Sequence, residues 1–135
     1  VSTTFVVADT HFHHKATLKP DHCARPFASV EEMNERLVAL WNATVKPNDT
    51  VYHLGDVAMW RPEQLQIVQR LNGAKILIPG NHDPWQASTF VAAGFRDVLG
   101  MKEFGGDGKG RGELLLTHIP VHPMSLRHPG GWETN

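Results

Sequence analysis

Asp9, His11, Asp56, Asn81, His82, Asp83 and His118 are the residues of this chain best equipped for chemistry. They fall in four short clusters: Asp9-Thr10-His11, Gly55-Asp56, Gly80-Asn81-His82-Asp83, and His118 within Leu116-Thr117-His118-Ile119-Pro120. Each cluster comes at the end of an apolar run. Together they offer carboxylates, an amide oxygen and imidazoles. That mixture suits a pair of divalent transition metals, and paired metals suit phosphoester hydrolysis.

Taken singly, each cluster has an ordinary reading beside the chemical one. Asp9 and His11 stand two apart, and in extended backbone such residues point the same way. Both side chains then reach one ion, although an Asp after a strand is also a common turn former. The two oxygens of Asp56 can bridge two cations, and Gly55 permits a sharp turn and close approach. Gly-Asp alone reads equally as a turn. Asn81 offers a neutral hard oxygen that adds no charge to repel phosphate. His82 can face a leaving group, with Asp83 fixing its tautomer. The competing reading is a capped helix start, because Pro84 follows. A lone histidine such as His118 is commonly structural. Four such clusters in one short chain outweigh these separate alternatives.

The elements that must position the clusters follow from pattern. Residues 4–8 are β-branched and apolar, which predicts a buried first strand. A polar loop rich in His and Lys runs to Phe27. Ser29 and Glu32 form a capping box, and Val30, Met33, Leu37, Leu40 and Trp41 recur at helical spacing. Residues 46–49 are a turn, and 50–54 a second strand. Pro62 suits the first turn of a second helix, which Asn72-Gly73 stops. Residues 74–78 are a third strand, 85–93 a shorter helix capped by Gly94, and 96–99 a short strand. Residues 101–104 and 113–117 form a hairpin around a glycine-rich tip at 105–112. That tip lacks the spacing of a phosphate loop. His53 reads as a satisfied core residue. Trp41, Trp60, Trp85 and Trp132 read as packing residues. The β-α-β-α-β order predicts an α/β fold with a largely parallel sheet and helices on its faces.

Size and composition narrow the class. The 135 residues suit one domain spanning residues 1–135. The charged fraction is 20% and the formal net charge −1, which gives no footprint for DNA or an anionic membrane. Cys23 is the only cysteine, so no internal disulfide forms. No apolar run approaches the ~20 residues of a membrane span, and the expected location is cytoplasmic.

In these motifs the chain resembles the calcineurin-like metallophosphoesterases, marked by D-x-H, G-D, G-N-H-[DE], a lone His and a final G-H-x-H. The surrounding wording, with Arg25-Pro26-Phe27 and Tyr52-His53-Leu54, is similar to a small bacterial and phage branch. The resemblance implies a two-sheet sandwich flanked by helices. It implies two divalent transition metal ions (Mn, Fe, Zn, Co or Ni). Asp9 and His11 would hold the first, Asp56 would bridge, and Asn81 and His118 would hold the second. His82 would act as general acid, and a metal-bound hydroxide would attack the phosphoester. No G-H-x-H occurs in the sequence; His122 and His128 read as loop residues. The expectation is therefore a C-terminally shortened domain with weaker metal loading and an exposed sheet edge prone to self-association. Arg25 and His14, in the loop after the first strand, are candidates for substrate binding, Arg25 through a bidentate phosphate contact. A non-catalytic scaffold and a nucleic-acid phosphodiesterase are the rival readings, the latter weakened by the lack of a basic, aromatic stripe.

Overall fold

The computed structural model describes residues 1–59, 61–105 and 114–122. Trp60, Trp132, His128 and most of the glycine-rich tip lie outside the described residues. Four strands, β1 (Thr4–Val7), β2 (Thr50–His53), β3 (Ala74–Leu77) and β4 (Asp97–Val98), form a parallel sheet in that order. Strands β5 (Lys102–Phe104) and β6 (Leu114–Leu116) form a second, antiparallel sheet. The fold is α/β with two sheets and helices, as the motifs implied.

Strand periodicity divides the core in two. Leu77 faces one side of β3, with Phe12, Leu65, Val68, Phe90 and Phe95. Ile76 faces the other, with Tyr52, Ile78 and Leu116. Helix α1 (Val30–Thr44) joins the first side through Val38, Leu37 and Trp41, and helix α2 (Ala87–Ala92) through Phe90. The hairpin joins the second through Leu116, Phe104 and Leu114. The helices therefore cover one face of the parallel sheet and the hairpin the other, rather than helices covering both.

Local chemistry sets the element ends. Ser29 Oγ accepts from Glu32 N at 3.1 Å, and Glu32 Oε2 accepts from Ala28 N, one residue before the cap, at 2.7 Å. This reciprocal cap starts α1 as expected. Leu40, assigned to its apolar stripe, is 48% exposed, because the buried stripe runs through Met33, Asn34 and Val38. Pro62 opens a 3₁₀ helix, Pro62–Arg70, not an α-helix. Lys75 Nζ, on the neighbouring strand, donates to Leu71 O and Gly73 O just past its end. A cation is favourable at that negative end. The shorter helix starts at Ala87, and Trp85 instead packs edge-on against Phe90.

The first strand differs from the buried strand expected. Its residues alternate between exposed and half-buried, and Val6 is 50% exposed. Among the described residues it ends the sheet, pairing with β2 alone. Asp49 anchors its start. Its two oxygens accept from Thr3 N and Lys46 N at 2.7 and 2.8 Å, and these bonds hold its carboxyl below the usual range.

His53 is a core residue, as its place inside a strand suggested. Its Nδ1 accepts from Gly55 N at 3.2 Å, which leaves the proton on Nε2. That Nε2–H meets Thr10 Oγ1 at 2.9 Å, and the Thr10 hydroxyl donates to Val57 O at 2.9 Å. Burial lowers its pKa from 6.5 to about 3. Between those values the unfolded chain binds one more proton than the folded one, so stability rises with pH across that window. Lowering the pH from about 6.5 should cost up to about 1.4 kcal/mol per unit from this residue. Urea midpoints from pH 7 to 5 should fall less steeply in His53→Gln than in wild type. Parallel slopes would contradict the neutral, buried assignment.

Candidate metal centre

The loops after β1 and β2 remain zipped together beyond the strands. Asp9 N, His11 N and Phe12 N donate to Gly55 O, Asp56 O and Val57 O at 3.0, 3.0 and 2.9 Å. Met59 N returns a bond to Phe12 O. Asp9, His11 and Asp56 nevertheless sit in the left-handed region, with φ of 55°, 48° and 55°. The extended i, i+2 geometry expected for Asp9 and His11 is absent. A turn, not a pleat, brings their side chains together.

The loop after β3 completes the floor. Gly55 and Gly80 touch backbone to backbone, and a Cβ on either would overlap the other loop. Gly55 also has φ of 93°, so glycine is required there twice over. Asp83 locks the contact. Its Oδ2 accepts from Asp56 N and Gly80 N at 2.6 and 2.9 Å, and its Oδ1 from Val57 N at 3.1 Å. Burial pushes its pKa up even though these bonds pull the other way. The carboxylate expected to set the His82 tautomer thus faces main-chain N–H groups of two loops.

On this floor the ligand atoms form two groups that share Asp56. In the first, His11 Nε2 lies 3.5 Å from Asp9 Oδ1 and 3.6 Å from Asp56 Oδ2. These three residues have ligand atoms all within 4.8 Å of one another. In the second, His118 Nε2 lies 3.0 Å from Asn81 Oδ1 and 3.7 Å from Asp56 Oδ1. His118 Nδ1 is 2.6 Å from Leu54 O, and only its N–H can make that bond. Its other ring nitrogen, Nε2, faces the Asn81 and Asp56 oxygens. Asp56 Oδ1 also accepts from His82 N, and the donor set itself, two carboxylates, an amide oxygen and two imidazoles around one shared carboxylate, fits a divalent transition metal. Burial lowers the His11 pKa, although Asp56 and Asp9 oppose that. The neutral ring is the ligating form.

Arg25 does not reach outward. Its two terminal nitrogens donate to Thr10 O at 2.8 Å and Asp9 O at 2.7 Å. The guanidinium braces the first loop from behind, the fork-like use that its planar donors allow. Asn34, buried on α1, braces it from the side through His13 N and His13 Nδ1, each at 3.0 Å. Sequence reading missed Asn34, and its sole signal was a polar residue on the buried stripe of α1. His14 Nδ1 lies 3.4 Å from His11 Nδ1, and the His82 ring centre is 5.6 Å from that of His11. On the far side of Asn81 and His118 a cavity of about 700 Å³ opens, lined also by Met101, Ile119 and His122.

Two outcomes are expected from this geometry. Arg25→Gln should weaken divalent-metal affinity about tenfold, as loss of a group behind a ligand generally does. Calorimetric titration with Mn²⁺ measures it, and wild-type affinity would contradict the bracing role. Asp83→Asn should lower stability by about 2–3 kcal/mol through its charge-assisted bonds, read as a shift in urea midpoint.

The family model described as calcineurin-like phosphoesterase matches residues 2–122. An uncharacterized protein of Methanocaldococcus jannaschii is 40% identical over 82 residues, 58% of this chain and 46% of that protein. The chain therefore spans about half the length of that relative. The Gene 66 protein of Mycobacterium phage L5 is 27% identical over 150 residues, covering 95% of this chain and 70% of that protein. A crystal structure of a protein of unknown function from Aquifex aeolicus superposes with a TM-score of 0.64 at 28% identity. It covers 95% of this chain and 67% of that one. With the family model matching nearly the whole chain, the protein belongs to the calcineurin-like phosphoesterases.

Proposed function

We propose that the chain hydrolyses phosphoesters with two divalent cations, drawn from Mn, Fe, Zn, Co and Ni. The observation that carries this reading is the split of the Asp56 carboxylate. One oxygen faces His11, and the other faces His118. Such an arrangement suits a bridging ligand between two cations. Bound cations would supply Lewis acidity, neutralising phosphoryl charge and making water acidic enough to attack near neutral pH.

The chain's own groups divide the remaining work. Asp9, His11 and Asp56 hold one cation; Asn81, His118 and Asp56 hold the other. Asn81 contributes no negative charge, which keeps that side open to a phosphoryl group. His82 N donates to Asp56 Oδ1 at 2.9 Å, so the residue that carries the proposed acid also steadies the bridge. The His82 imidazole donates a proton or hydrogen bond to the departing oxygen, a role worth roughly 10²–10⁴-fold in rate. Among the described residues, no helix is long and apolar enough to cross a membrane.

A panel of nitrophenyl phosphate mono- and diesters with added Mn²⁺ tests the reading. His82→Asn should keep its metal and lose turnover by about 10²-fold or more. Asp56→Asn should lower the affinity for both ions together. Unchanged metal content in Asp56→Asn, or no metal-dependent turnover by wild type, would remove the proposal.

A further inference from the structure

Against the first group of ligands lies a cavity of about 280 Å³. His14, His22 and His82 line it with the metal-site residue His11, together with Thr17, Cys23 and Met59. The rings come from three places in the chain. His14 follows the first loop, His22 sits on a turn closed by His22 N to Lys19 O at 3.1 Å, and His82 follows β3. The His14 ring meets that of His22 edge-on, with centres 5.5 Å apart, and that of His82 at 6.3 Å. The turn carrying His22 is fixed from both sides. Ala24 N donates to Lys19 O, and Arg25 N to Thr17 O.

Among the described residues, the lining includes no carboxylate. Among those residues the cavity therefore presents imidazoles with no carboxylate in its wall, the nearest lying behind His11. A metal does not explain the cluster. Among the described residues, only Asp9, His11 and Asp56 form a group of three or more His, Cys, Asp or Glu whose ligand atoms converge. The size argues for a compact occupant, since pockets for drug-sized ligands begin at roughly 300 Å³.

We propose that His14 and His22 form an oxyanion subsite next to the metal centre, which takes a second phosphoryl group of the substrate. The inference rests on the phosphoesterase reading for its account of the substrate. It makes the preferred substrates compact, doubly phosphorylated molecules. The first phosphoryl group lies at the cations, the second is held by imidazole N–H donors, and His82 stands between them. Neutral imidazoles suffice, because each carries one N–H that can turn to a phosphoryl oxygen.

Calorimetry on the Mn²⁺-loaded chain at neutral pH tests it, with inorganic phosphate and inorganic pyrophosphate as probes. Wild type should bind pyrophosphate at least about tenfold tighter than phosphate, in keeping with charge-assisted hydrogen bonds to the second group. His14→Asn and His22→Asn should each bring that ratio toward one. Both probes meet the same free Mn²⁺ in every variant, so the comparison between variants isolates the subsite. A wild type without the preference, or variants that retain it, would overturn the subsite. This readout does not need turnover. If wild type hydrolyses no nitrophenyl ester, the phosphoesterase reading fails, and the pyrophosphate preference still decides the imidazole subsite.

Discussion

The Asp83 carboxylate is the fastening on which the centre depends. It is 6% exposed and accepts N–H bonds from Asp56, Val57 and Gly80. A buried charge is tolerable only when such bonds replace the water it has lost. The return is positional. The three bonds pull the loops after β2 and β3 together until Gly55 and Gly80 touch, and that contact sets where Asp56 and Asn81 project. Each bond from a charged acceptor contributes roughly 1.5–3 kcal/mol, so the loops are held far more firmly than turns facing water.

The other supports act on the first loop. Main-chain pairing from Asp9 to Phe12 continues the β1–β2 register past the ends of the strands. Arg25 grips the same segment through Asp9 O and Thr10 O, and Asn34 through His13. His53 and Thr10 join it to the second loop from beneath. The ligands are thus mounted on loops that behave as an extension of the sheet.

The sequence made the strand ends, the α1 cap and the parallel order legible because those are local signals: β-branched runs, Ser29 with Glu32, and alternating elements. The identities of the chemically equipped residues were legible for the same reason. What each does with its neighbours was less so. Arg25 reads as a phosphate contact in one dimension, because nothing local shows that it folds back on carbonyls sixteen residues earlier. Asp83 reads as a partner of His82 because they are adjacent, yet its bonds reach Asp56 and Val57, 27 and 26 residues earlier. His22 gives no signal until the turn at Lys19 brings it to His14. Among the described residues β1 ends the sheet and is exposed there, a placement that composition does not encode.

The left-handed backbone at Asp9, His11 and Asp56 has an evolutionary consequence. Side-chain-bearing residues held in that conformation cost on the order of 1–3 kcal/mol each, and glycine would relieve most of it. Selection for heat tolerance alone would therefore drift toward glycine at these positions, and each gain would delete a ligand. Thermostability and ion capture are opposed at the same three residues, so a robust descendant that keeps the centre must find its extra stability elsewhere in the molecule.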